Sequence, residues 1–205
     1  MTTDRDSVLL AAIGLLSRQP SASMDEIARA AGISRATLHR MVPGRDALLH
    51  SVAALALDRM AAALDSAAIT EGDPVDAVRR LADAVIPEAS VAAFLTGESR
   101  LFEDTEINEA WERMDARVAA LFLRGQQSGR FRVELPAAWL SEAFFDLLAG
   151  VGWAVQEGRL ASRDSTFALT ELFLGGALRT DRDPNQNPNH PNHPNQEPKQ
   201  DQDQN

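Results

Sequence analysis

Residues 23–49, SMDEIARAAGISRATLHRMVPGRDALL, decide the fold class. Ser23 followed three positions later by Glu26 is the pattern of a capping box, in which each side chain satisfies a backbone N–H at a helix start. Ile27, Ala28 and Ala31 then recur at helical spacing, so a helix begins near Met24. The pattern breaks at Gly32, a residue type that takes positive φ at no steric cost. Ser34 offers its hydroxyl as the cap of a second helix running to about Met41. Pro43-Gly44 ends that helix, Arg45-Asp46 opens a third, and Ile27, Ile33, Leu38 and Leu48 supply a shared apolar interior. Two short helices meeting at a glycine turn, with a third packed on them, form the layout of a helix-turn-helix.

Working outward, Val8, Leu9, Ala12, Ile13, Leu15 and Leu16 follow the helical period as far as Gln19-Pro20, which completes a three-helix unit. Downstream, a helix is expected from about Arg45 to Ile69, bridging this unit to the rest. Asp73-Pro74 reads as a cap with proline at the first helical position, starting a helix that stops before Pro87. A shorter piece follows through Leu95. From about Thr105, Ile107, Trp111, Met114, Val118, Leu121 and Phe122 form one apolar stripe ending at Ser128-Gly129. Glu134-Leu135-Pro136 then opens a helix apolar on more than one face, with Trp139, Leu140, Phe144, Phe145, Leu147, Leu148, Val151 and Trp153. Such a helix needs burial from more than one side, and Ala149, Gly150 and Gly152 let another helix approach closely. The last helix spans about Ser165 to Leu178. The expected fold is therefore all-α: an N-terminal three-helix helix-turn-helix domain over 1–49 and a C-terminal helical domain over 50–179. The Asn/Pro/Gln-rich tail, 180–205, has too few apolar residues to bury a core.

Composition narrows the function classes. A chain of 205 residues without cysteine offers no disulfide, thiol nucleophile or Cys-ligated zinc site. No charged start leads into an apolar run with a cleavage site, and no run of about 18 apolar residues is uninterrupted, so the expectation is a cytoplasmic protein without membrane insertion. Outside the tail the histidines are His39 and His50, no Glu-x-x-His pair exists, no glycine-rich loop precedes a lysine, and Lys199 is the lone lysine. An enzyme, a metal site and a cofactor are accordingly not expected; His190 and His193, in a proline-rich coil, make a poor metal site. The net charge of −10 is unevenly spread. In residues 1–50 six arginines face five carboxylates, a net of +1 that leaves −11 for the remainder. That asymmetry orients the N-terminal end toward a polyanion.

The run EIARAAGIS-RATLHRMVPGRDALL resembles the signature of the TetR family of transcriptional regulators, roughly IA-x-x-AG-V/I-S-x-x-T-L/I-Y-x-x-F-x-x-K-x-x-L. The match covers Ile27, Ala28, Ala31, Gly32, Ile33, Ser34, Thr37, Leu38 and Leu48. His39 stands where the family usually has tyrosine, Val42 where it has phenylalanine and Arg45 where it has lysine. The resemblance implies a recognition helix whose N-terminal side chains reach base edges in the major groove while its neighbours grip phosphate. Arg35 and Thr37 are the candidate base-edge contacts, Arg35 through a bidentate pair to guanine. Ser23, Ser34, His39, Arg40 and Arg45 are the candidate phosphate contacts.

The same resemblance implies a small-molecule effector pocket in the C-terminal domain, for which Phe94, Phe102, Trp111, Met114, Val118 and Phe122 are candidate linings. An aromatic and methionine stripe at this spacing is more often core than pocket. Glu88, Glu98, Asp115 and Asp146 are available to pair with a cationic effector if they face inward. The two C-terminal helices resemble the family's four-helix dimer interface, with Phe144, Leu148, Val151, Gly152, Phe167 and Leu174 as candidate contacts. The implied partners are double-stranded DNA carrying a near-palindromic operator, a small effector and a second copy of the chain, with repression relieved by the effector. Two alternatives stay open: an activator or co-regulator using the same reader, and a ligand-sequestering helical protein whose reader has decayed.

Overall fold

The computed structural model describes residues 4–179, so the tail with His190 and His193 lies outside the described residues. Those residues form nine α-helices joined by short turns, with a single isolated β-bridge, Phe131 to Leu178. The reader comprises α1 (Arg5–Leu16), α2 (Met24–Ala30) and α3 (Arg35–Met41). Ser23 and Glu26 make the expected capping box, Gly32 turns the chain at φ 67°, and the Ser34 side chain accepts from Thr37 N. Helices of seven residues are too short to persist alone. They hold here because Ile27, Ala28, Leu38 and Val42 are buried with Val8, Leu9, Ala12 and Ile13 of α1. Val42, shorter than the phenylalanine of the family pattern, still fills a buried position.

Helix α4 (Arg45–Ser66) carries the core out of the reader, so the expected domain boundary at 49/50 falls inside one continuous helix. It ends three residues earlier than the apolar pattern predicts because the chain turns at Ala68, φ 46°; Ile69 remains buried from the turn. Next come α5 (Pro74–Val85), capped by Asp73, and α6 (Ala89–Gly97). The 3₁₀ turn Ile86–Glu88 between them accommodates Pro87. A second 3₁₀ turn, Ser99–Glu103, leads into α7 (Thr105–Gln127), capped by Asp104. Helices α8 (Ala137–Gln156) and α9 (Ser165–Ala177) close the C-terminal bundle. By length and composition α4 and α8 are apolar enough to cross a bilayer, but both are core helices of this bundle.

Two glycines set the bundle's geometry. A Cβ on Gly152 of α8 would stand 2.2 Å from the carbonyl oxygen of Ala89, so α6 crosses α8 in near backbone contact. The close approach expected from the small residues of α8 is thus made within the protomer, by α6. A Cβ on Gly125 of α7 would stand 2.0 Å from Cδ2 of Phe131. Phe131 is fully buried and meets Phe122 at 5.6 Å, within an aromatic cluster that also holds Phe144 and Phe173. The apolar pattern does not reveal Phe131 as core, because it sits among arginines in the link between α7 and α8.

Candidate functional site

The reader presents α3 with Arg35, His39 and Arg40 exposed on it. Arg35, at the helix's first turn, donates from Nη1 to Asp25 Oδ2 of α2 at 3.0 Å. Both partners are at least half exposed, so the pair is worth at most about 1 kcal/mol and is readily exchanged for another acceptor. Thr37 is half-buried, and its hydroxyl lies 2.9 Å from Ser34 Oγ while accepting from Arg40 Nη2 at 3.2 Å. Ser34, Thr37 and Arg40 thus form a chain of polar contacts along α3. Ser23 gives its hydroxyl to Glu26 Oε2 at 2.7 Å. The backbone N–H of Ser23 and then that hydroxyl hold the Glu26 carboxyl below its ordinary value. Arg45, a candidate phosphate contact, donates to the carbonyls of Pro20 and Ala22 and so ties α4 to the link between α1 and α2. Nothing in the local spacing reveals that role, since the acceptors are backbone atoms more than twenty positions away.

In the C-terminal bundle, a cavity of 420 Å³ opens between α6, the 3₁₀ turn Ser99–Glu103, α7 and α8. Phe102 and Trp111, two of the candidate lining residues, border it. Their rings stand 5.8 Å apart at 71°, and Phe145 completes an aromatic wall 5.0 Å from Trp111. Asp115, Glu142 and Asp146 supply three carboxylates to the same lining, with Asn108 and Thr96 as neutral polar groups. Ser141 of α8 donates to Asp115 Oδ1 at 2.6 Å and fixes that α7 carboxylate against α8. Aromatic faces and carboxylates around one space suit a flat cation, because ring quadrupoles and anionic oxygens attract positive charge together.

The other expected lining residues are packed elsewhere. Met114, Val118 and Phe122 are buried in the bundle core, and Phe94 borders a separate 110 Å³ space beside α1 and Trp153. Two further lining residues, Phe145 and Glu142, were missed by spacing alone. Phe144 and Phe145 are adjacent on α8, so they point about 100° apart, the first into the core and the second to the cavity. Glu142 and Asp115 reach the cavity only because α7 and α8 pack side by side. Of the remaining acidic candidates, Glu88 is claimed by Arg59 and Glu98 by Arg100.

The candidate dimer contacts divide by burial. Phe144, Leu148, Gly152 and Leu174 are buried inside the protomer, because the core-facing side of each helix already absorbs them. Val151 is half-buried and Phe167 is 70% exposed. On its less buried side, α8 shows exposed Trp139 and partly buried Ala143, Leu147, Gly150 and Ala154 at helical spacing, and α9 shows exposed Phe167 and Leu172. A Cβ added at Gly150, Gly175 or Gly176 would meet nothing within 4 Å, in contrast to Gly152.

No family model matches the chain. The HTH-type transcriptional regulator NfxB of Pseudomonas aeruginosa is 34% identical over 171 residues, covering 81% of this chain and 89% of that protein. The HTH-type transcriptional repressor LfrR of Mycolicibacterium smegmatis is 30% identical over 172 residues, 83% of this chain and 89% of its own length. The solved structure of the TetR-like regulator LfrR from Mycobacterium smegmatis in complex with proflavine superposes with a TM-score of 0.69 at 25% identity, covering 86% of this chain and 97% of that one. The ketosteroid regulator KstR2 of Mycobacterium tuberculosis shares the fold at a TM-score of 0.66 and 15% identity. With the helix-turn-helix signature, the nine helices of the described residues and two relatives at this identity and coverage, the chain belongs to the TetR family of transcriptional regulators, non-catalytic DNA-binding proteins.

Proposed function

We propose that this protein is a cytoplasmic homodimeric repressor that binds a near-palindromic operator through α3 and is released by a planar aromatic cation in the 420 Å³ cavity. The observation that carries the effector half is the joint lining by Phe102, Trp111 and Phe145 with Asp115, Glu142 and Asp146. Proflavine, the molecule bound in the LfrR structure, is itself a flat aromatic cation, which supports the same class here. For the DNA half, exposed Arg35, His39 and Arg40 on α3 supply base-edge and phosphate donors, and the half-exposed pair to Asp25 leaves Arg35 exchangeable. The apolar side chains left outside the core on α8 and α9, with open space at Gly150, Gly175 and Gly176, support pairing with a second copy. Two readers then address half-sites about one helical turn or more apart.

The test has two arms on the purified full chain. Selection of duplexes from a random pool yields an inverted repeat, and Arg35→Ala relaxes the preference at the contacted base by about 10- to 150-fold. Proflavine, titrated against that complex, quenches Trp111 and releases the duplex. Asp115→Asn with Asp146→Asn weakens proflavine binding while leaving duplex binding intact. Proflavine binding without any enriched duplex would replace this reading with the ligand-sequestering one.

A further inference from the structure

Helix α2 opens with two adjacent carboxylates that do different things. Glu26 is taken up by the helix start, where its Oε2 accepts from the backbone N–H and the hydroxyl of Ser23, each at 2.7 Å. Asp25 takes no part in that cap. Among the described residues its one side-chain hydrogen bond crosses the turn to α3, where Arg35 Nη1 donates to Oδ2 at 3.0 Å, and Oδ1 is left without a donor. The pair is not needed to hold the two helices together. Ile27, Ala28 and Leu38 are buried in the shared core, and Ile33 N–H donates to the Ala28 carbonyl across the turn at 2.9 Å. With side chains 68% and 50% exposed, the ion pair adds little to that.

A carboxylate on a surface that meets a polyanion weakens general attraction to phosphate. The two arginines of α3 are placed differently with respect to it. Arg40 Nη2 donates to the neutral Thr37 hydroxyl at 3.2 Å and keeps its whole charge for phosphate. Arg35 meets Asp25, which offsets its charge and orients its plane. A guanidinium has further N–H donors in the same fork, so a bond from Nη1 to Asp25 leaves enough of them for guanine O6 and N7. Oδ1 of Asp25 then remains as an acceptor beside the base edge. In the major groove the exocyclic amines of cytosine and adenine are the donors available to it. Adenine sets the acceptor N7 next to its amine, whereas the polar group of cytosine is the N4 amine alone, so a carboxylate favours cytosine.

We propose that Asp25 is a second specificity determinant of the reader: it holds Arg35 toward guanine and accepts from the N4 amine of a cytosine at the neighbouring base pair. The inference rests on the DNA-reading role proposed above for α3. On the matching sequence both members of the pair are satisfied. Elsewhere the offset charge of Arg35 pulls weakly on phosphate, and Oδ1 loses water against thymine O4 or guanine O6 without gaining a donor. Asp25 therefore lowers affinity for unrelated duplex more than for the operator, and the ratio between them rises. Its role toward Arg35 is that of a positioning residue.

The experiment carries the full chain through selection from a random duplex pool as wild type, Arg35→Ala, Asp25→Ala and Asp25→Asn. Affinity for the wild-type repeat and for a randomised duplex is then measured at two salt concentrations, with thermal unfolding alongside. Wild type is expected to enrich a guanine beside a cytosine in each half-site, with the guanine preference relaxed in Arg35→Ala. Asp25→Ala should lower the ratio of the two affinities by about 10-fold or more, chiefly by tightening the randomised complex. The freed Arg35 should also steepen the log–log salt dependence of that complex by about one per reader. Asp25→Asn keeps an oxygen for Arg35 and gains an amide donor, so it should retain guanine and move the neighbouring position to adenine. A merely structural tie predicts a lower unfolding midpoint, equal weakening of both complexes and an unchanged salt slope, and that result overturns the proposal. Base preferences that stay wild type in both Asp25 variants also overturn it, while a guanine preference lost in Arg35→Ala keeps the reader standing. A wild-type protein that enriches no duplex overturns the reader and this role of Asp25 together.

Discussion

At Gly125 the space a methyl group needs is already filled by the ring of Phe131. The ring is enclosed by the aromatic cluster and by the α7 backbone, so it has nowhere to retreat. Gly125→Ala is therefore expected to destabilise the fold by about 1–3 kcal/mol through overpacking, read as a lower midpoint in thermal unfolding. Gly14, in the last turn of α1, is the internal control, since a Cβ there meets nothing within 4 Å. Gly14→Ala should raise stability by about 0.4–1 kcal/mol through the loss of unfolded-state freedom. If both alanines shift the midpoint the same way, helix propensity and not the Phe131 contact governs position 125. At this scale the sequence was only partly legible. Arg35 and Trp111 could be singled out from motif and stripe, but the claim of Pro20 and Ala22 on Arg45 depends on how the link between α1 and α2 folds back.

Helix starts were the most legible features, because capping is a contact across two or three residues. Ser23, Ser34 and Asp73 cap the helices that the spacing assigns to them. The same geometry has a consequence for pH. Partial burial pushes the Asp73 carboxyl up, but the backbone N–H groups of Val75 and Asp76, with Arg130 beside it, outweigh that and hold it below its ordinary 3.8. The backbone N–H of Ile107, against a smaller effect of burial and helped by Glu106 N–H and His50, does the same for Asp104. A carboxyl that is more acidic when folded stabilises fully above its unfolded value, and the contribution disappears as pH falls through the lowered folded value. Unfolding midpoints should accordingly drop between about pH 5 and pH 2. Asparagine also caps helices, so Asp73→Asn with Asp104→Asn removes the titration and keeps an acceptor. The doubly substituted protein is expected to lose less of its midpoint over that range than wild type, and a parallel acid curve would remove the caps as the cause. What element-level reading could not supply is the second use of Asp104, whose partner His50 is 54 positions away. Nor could it supply the 3₁₀ turn before it, which carries no strong period of its own.

For the whole molecule, periodicity showed that α8 is apolar on more than one side, and a protomer offers only one interior to absorb it. Which residues face which interior is decided by packing against α6 and α7, so Phe144 and Leu148 went to the core while Leu147 is only partly covered and Trp139 stays 52% exposed. On α9 the same division buries Leu169, Phe173 and Leu174 and leaves Phe167 and Leu172 70% and 66% exposed. Large apolar side chains so placed beside open glycine positions suit a two-fold helix pairing, in which each residue is covered by the partner's copy of the same surface. Phe167→Asp with Leu172→Arg changes two exposed positions and should leave helical content and thermal unfolding of the protomer intact. Sedimentation should then show a dimer for wild type and a monomer for the substituted protein. Because each half-site complex is weak without its tethered twin, operator affinity should fall by roughly 100-fold or more. Proflavine binding should persist, since the aromatic cavity is lined by α6, the 3₁₀ turn, α7 and α8 of one protomer. A substituted protein that stays dimeric would move the interface off α9. One that becomes monomeric yet keeps wild-type operator affinity would show that the two readers do not act as a linked pair.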